Sequence, residues 1–151
     1  MRQLNPWNRT GESGSASLEF LTAGMILLLP LVYLVIALSA LQGGALAIEG
    51  AARQAARVYV QAPDEASAEA RAHRAVAFAL EDYGLDSGDA QVQIACAGSS
   101  GCLTRRGLVT VTVRINIALP LVPDLLALNQ RASVPMTAVS TQIVSRFGGL
   151  R

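Results

Sequence analysis

An uncharged run from Phe20 to Ile48 constrains this 151-residue chain more than any other feature. Its first part, Phe20 to Leu41, is about 22 residues and would extend roughly 33 Å as a helix, enough to cross the hydrocarbon core of a bilayer. A secretory signal peptide competes with this reading, although its apolar core would occupy only ~7–15 residues before a small-residue cleavage site. Ala40, Gly43, Gly44 and Ala45 offer such a site, so that alternative stays open. Pro30 lies inside the run and removes a hydrogen bond to the carbonyl of Ile26, which predicts a local bend of a kind tolerated in lipid.

The flanks set an orientation. Arg2 and Arg9 precede the run, offset only by Glu12, whereas the far side begins with Glu49 and carries Arg53 and Arg57 farther along. Positive charge on the cytoplasmic side places the amino terminus inside and the remainder outside, with Arg53 and Arg57 weakening the asymmetry. The helical signal continues past the span through A-A-R-Q-A-A-R, with Glu49 and Arg53 four residues apart in the favourable order. One long helix is therefore expected from about Ala16 to Val60. The expected division is a cytoplasmic leader at 1–14, a transmembrane and projecting helix at 15–62 with its span at about 20–41, and an extracytoplasmic α+β domain at 63–151.

Pro63 breaks the first helix, and Asp64 is placed to cap a second that runs to Tyr83 and stops at Gly84. Ala72, Val76, Ala79, Leu80 and Tyr83 share one face of it, with Glu65, Glu69, His73 and Glu81 largely off that face. The partner for this face is expected to be a sheet. Val92, Ile94 and Cys96 alternate with polar residues, and Val109, Val111, Val113, Ile115 and Ile117 alternate with Thr110, Thr112, Arg114 and Asn116. A third segment with Ala132, Val134, Met136 and Ala138 on one face carries Pro135 on the other, which suits an edge strand. Pro120, Pro123 and D-L-L-A-L read as a loop with a short helical turn. The fold class expected is α+β: a long N-terminal transmembrane helix, then a helix packed on a small three-stranded antiparallel sheet.

Cys96 and Cys102 flank A-G-S-S-G between the first two strands. So placed in an outward segment, they read as a disulfide, with two reduced cysteines as the alternative. Two thiols without neighbouring histidines are too few for a tetrahedral metal site, so no metal is expected. With 12 basic residues, all arginine, against 11 acids, and no dense basic cluster, nucleic acid is not an expected partner. No phosphate-binding glycine loop, metal-ligand set or G-x-S-x-G elbow is present, and His73 reads as a solvated surface residue. Neither an enzyme, nor a cofactor, nor a small-molecule substrate is expected.

The remaining clue precedes the span. Glu19 stands at its edge, where a carboxylate needs compensation beyond the ~0.3–1 kcal/mol that a helix N-terminus supplies. It belongs to G-S-A-S-L-E-F, Gly14 to Phe20, behind a short basic leader. That heptad resembles the processing site of type IV prepilins, in which a membrane aspartyl peptidase cuts after the glycine. The resemblance implies a cut between Gly14 and Ser15, and an assembly contact at Glu19 and Phe20 in which Glu19 pairs with the α-amine freed on a neighbouring subunit. Ser15 and Ser17 make this region more polar than in many prepilins. Gly11 is the poorer site, because Ala16 stands five residues after it.

Together with the proline-containing span, A-A-R-Q-A-A-R and the cysteine-bearing β segment, the heptad is similar to the TadE/TadG-like family of tight-adherence pilus systems. That resemblance implies a minor pilin or pseudopilin contributing to a tight-adherence (Flp/type IV-like) pilus or related secretion apparatus. Its implied partners are a prepilin peptidase, other pilins or pseudopilins, the pilus assembly platform and the cytoplasmic membrane. The alternative is a permanently anchored extracytoplasmic adapter or binding domain that is neither processed nor polymerised.

Overall fold

The computed structural model describes residues 15–97, 101–121 and 132–147. Helix α1 spans Ser15–Val60 and helix α2 Glu65–Glu81; a 3-10 turn at Ser87–Asp89 leads into strands β1 (Gln91–Ala97), β2 (Leu108–Ala118) and β3 (Ser133–Ile143). This is the expected α+β class, with a three-stranded antiparallel sheet in the order β1-β2-β3. Two compact units divide the chain, one up to Leu38 and one from Ser39 onward, and α1 contributes to both.

The described part of the first unit is a helical segment whose large apolar side chains face outward, among them Phe20, Leu21, Ile26 and Leu27. Only a helix in an apolar solvent, or one covered by partners, can present such a surface cheaply. The segment is a candidate membrane span by length and composition. The helical run continues through Pro30.

In the second unit, β2 is the central strand. Val109, Val111, Val113, Ile115 and Ile117 are buried on one face, as the period-two pattern predicts, while Arg114 and Asn116 are exposed on the other. Register sets Ile94 and Ser140 on either side of Val111, and Val92 and Ala138 on either side of Val113. β3 is an edge strand, and Pro135 sits on its exposed face opposite Asn116. The expected loop at 122–131 lies outside the described residues.

Asp64 caps α2 as expected, its carboxylate accepting from the Ser67 backbone N–H at 2.8 Å. Ala68, Ala72, Val76 and Leu80 form the buried stripe. Gly84, at φ +70°, turns the chain away, and the Leu85 N–H donates to the Leu80 carbonyl at 3.0 Å. Tyr83 departs from the expectation. The helix ends at Glu81, so Tyr83 leaves the helical register and is 54% exposed instead of lying on the buried face.

The larger correction concerns the domain boundary. Residues up to 62 were expected to project from a domain beginning at 63. Instead Ala47, Ile48, Ala51, Ala52, Ala55, Ala56 and Tyr59 are buried in the same cluster as α2 and β2, so this part of α1 is a layer of the folded unit. Their spacing repeats at three and four residues, while Glu49, Arg53 and Arg57 stay exposed and Arg53 pairs with Glu49 at 2.8 Å. Gly44 leaves room for the Ile117 side chain against α1: a Cβ there would stand 2.8 Å from Ile117 Cδ1. The apolar run extends past Leu38 because its end serves a protein core.

That packing leaves no room at Ala51, which is fully buried. Ala51→Leu is expected to lower the unfolding free energy of the detergent-solubilised protein by about 1–3 kcal/mol, read by urea titration. A projecting helix would tolerate it without measurable loss.

Candidate functional site

Of the heptad, Gly14 lies outside the described residues, and Ser15 is the first residue described in α1. Glu19 and Phe20 stand on the outer surface of the helix, Phe20 at 81% exposure. Thr22, one turn on, donates its hydroxyl to the carbonyls of Leu18 and Glu19 at 2.9 and 3.0 Å. These bonds satisfy the hydroxyl internally and leave the Glu19 carboxylate alone: it has no ion-pair or hydrogen-bond partner among the described residues. Glu19 is also the sole charged residue between positions 15 and 48. A bare carboxylate on an otherwise uncharged stretch of helix can do one kind of chemistry well, which is to accept a cation brought to it in a poorly solvating environment.

The sequence-predicted cysteine pair lies far along the chain from the heptad, at the Val60 end of the α1 layer. Cys96 and Cys102 are bonded, with Cα atoms 5.1 Å apart. Closing so short a loop is worth about 2 kcal/mol on the chain-entropy estimate. Cys102→Ser should therefore lower the unfolding free energy by about that amount relative to the oxidised protein, and reductant should have no further effect on the variant.

Sequence reasoning missed what holds this bridge against α2. Glu65 Oε1 accepts the Cys102 backbone N–H at 2.6 Å, linking the first turn of the helix to the cysteine loop. Gly101, at φ +97°, brings the loop so close that a Cβ there would stand 2.9 Å from the same oxygen. A glutamate in the first helical turn looks like a dipole partner in sequence, and its second function depends on a contact 37 residues away.

Asp64, next to it, has its carboxyl held below the ordinary value of 3.8, chiefly by the Ser67 backbone N–H and then by the Ser67 side chain. A depressed folded-state pKa stabilises fully above the unfolded value and loses that contribution as pH falls through the folded value. Acidification from pH 5 to below 3.8 should lower the melting temperature of the native protein more than that of Asp64→Asn, whose cap does not titrate. Parallel melting curves for the two would count against this origin of acid sensitivity.

His73 is exposed on α2. Among the described residues no group of three or more histidine, cysteine, aspartate or glutamate side chains is placed to hold a metal. A concavity of about 510 Å³ in the second unit opens between Gly43 and Gly44 of α1, the Tyr83–Leu85 turn and the end of β2. No family model, no curated protein and no solved structure matches this chain.

Proposed function

We propose that the chain is a minor pilin or pseudopilin of a tight-adherence (Flp/type IV-like) pilus or a related secretion apparatus, of the TadE/TadG-like kind. In this reading residues 1–14 are a cytoplasmic leader, a prepilin peptidase cuts between Gly14 and Ser15, and α1 crosses the cytoplasmic membrane once. The unit from Ser39 onward stands on the outer side, where the Cys96–Cys102 bond is stable.

The observation that carries the proposal is Glu19, which has no ion-pair or hydrogen-bond partner among the described residues. A carboxylate on a lipid-facing helix is costly, and selection removes such a group unless it has a task. Cleavage after Gly14 would create a cation on Ser15, four residues before Glu19, on every copy of the subunit. Within one helix the pair would satisfy itself. Between neighbouring helices it becomes a register mark, because each charge relieves the desolvation of the other only when the subunits are in step.

The test is the amino-terminal mass of the protein isolated from its native host. A mature chain beginning at Ser15 is the expected result, with the Gly14→Ala chain remaining full length. An intact amino terminus would sink the pilin reading and leave a permanently anchored adapter in its place.

A further inference from the structure

Strand β3 pairs with β2 on one side, and among the described residues no strand lies on its other side. The ladder shows which of its backbone groups face that open side. Just beyond the two ends of the β2–β3 register, the Leu119 N–H donates to the Ala132 carbonyl at 2.9 Å and the Val144 N–H to the Gly107 carbonyl at 2.8 Å. Antiparallel pairs alternate between those that exchange bonds and those whose N–H and C=O point away. Ala132 and Val144 are both even-numbered and the register between them is unbroken, so the even residues of β3 bond to β2. Pro135, Thr137, Val139, Thr141 and Ile143 therefore turn their backbone groups to the open side. Pro135, which has no N–H, costs the sheet no bond at such a position.

Exposed edges of this kind are ordinarily guarded by charge. β3, S-V-P-M-T-A-V-S-T-Q-I, has eleven residues and no charge. Its outward side chains also read the same in both directions about Val139, with a threonine on either side at Thr137 and Thr141. Val139 is 61% exposed and Ile143 62%, and the Thr141 hydroxyl shares a hydrogen bond with that of Thr110 at 2.9 Å. The other edge strand, β1, is shorter at seven residues, and its outward set, Gln91, Gln93, Ala95 and Ala97, has no such symmetry.

We propose that β3 is a pairing edge for a second copy of this chain, the two strands running antiparallel about a two-fold axis at Val139 so that their sheets join. A two-fold contact must be complementary to itself, which a neutral strand symmetric about one residue satisfies. Val139 then lies against Val139 and Thr137 against Thr141, pairs of β-branched side chains that suit neighbouring strands. Each of these positions presents both an N–H and a C=O to its partner. Pro135 meets Ile143 at either end, where its missing donor ends the ladder. The contact is independent of the pilin reading, and a chain with an intact amino terminus pairs in the same way.

Sedimentation velocity of the full-length chain in density-matched detergent tests it. The native chain should show the mass of two copies. Val139→Lys and Val139→Glu should each fall to one copy, because like charges then stand directly opposed, and an equal mixture of the two should regain the mass of two. Since Val139 is exposed, the urea midpoints of both variants should match the native value. In a second measurement, mild oxidation should link Val139→Cys chains through the new thiol and leave Gln93→Cys, at the same level on β1, unlinked. A native chain of one-copy mass at every concentration would overturn the proposal. So would a Val139→Lys chain that keeps the mass of two, a mixture that stays at one, or equal linking of the two cysteine variants.

Discussion

On the pilin proposal, Glu19→Ala is expected to leave membrane insertion and cleavage after Gly14 intact and to abolish incorporation of the subunit into a sheared pilus fraction. Insertion should if anything improve, since a carboxylate costs about 2.5–3.5 kcal/mol at the centre of a bilayer on insertion scales and less at its edge. Assembly should fail because, on the pilin proposal, the variant leaves the α-amine of each neighbour buried and unpaired. Removing one partner of a buried pair costs about 3–5 kcal/mol, which is a loss of at least about a hundredfold in association at each interface. The measurement is an immunoblot of membrane and sheared fractions, with Gly14→Ala as the companion that should fail earlier, at processing. Normal incorporation of Glu19→Ala would exclude an essential pairing role, whatever the amino-terminal mass shows.

The second large effect concerns the folded unit. Leu80 is fully buried, near the end of α2, and its carbonyl receives the N–H groups of both Tyr83 and Leu85 at 3.0 Å. Leu80→Ala should cost about 2–5 kcal/mol through lost transfer energy and the cavity left behind. For a unit of this size that is a large share of a total stability of roughly 5–15 kcal/mol. Urea unfolding of the oxidised protein in detergent would measure it. A loss below about 1 kcal/mol would mean that α2 does not pack on the sheet as described.

Much of this architecture can be read from residue order. The alternation from Val109 to Ile117 has one physical meaning, a strand with one buried face, and it holds at every position. Asp64 and Gly84 mark the start and the turn after α2, because a side-chain acceptor and a residue free to adopt positive φ do those tasks wherever they stand. The boundary at Ser39 was not legible. Lipid and a protein core both select against charge, so an uncharged run reads alike for either, and nothing in Gly43 to Ile48 announces that it enters a core. Only the periodicity of small residues from Ala47 onward hints at it, and alanine favours a helix in either setting. Tyr83 was misassigned because extending the helical face by one residue too many reverses its environment. Of the candidate site, Glu19 stood out by its charge alone, whereas the Glu65 contact joins segments that no local pattern connects.

The buried alanines of α1 have a practical consequence for anyone who wants the second unit in soluble form. A fragment begun at Pro63, where the first helix breaks, would keep all three strands and the cysteine bridge. It would lose the helical layer from Ala47 to Tyr59 and present the valine face of β2 to water. Such a surface beside an open strand edge invites self-association. An expression boundary placed upstream of Gly44 retains the layer, so the useful cut lies inside the helix and within the apolar run itself.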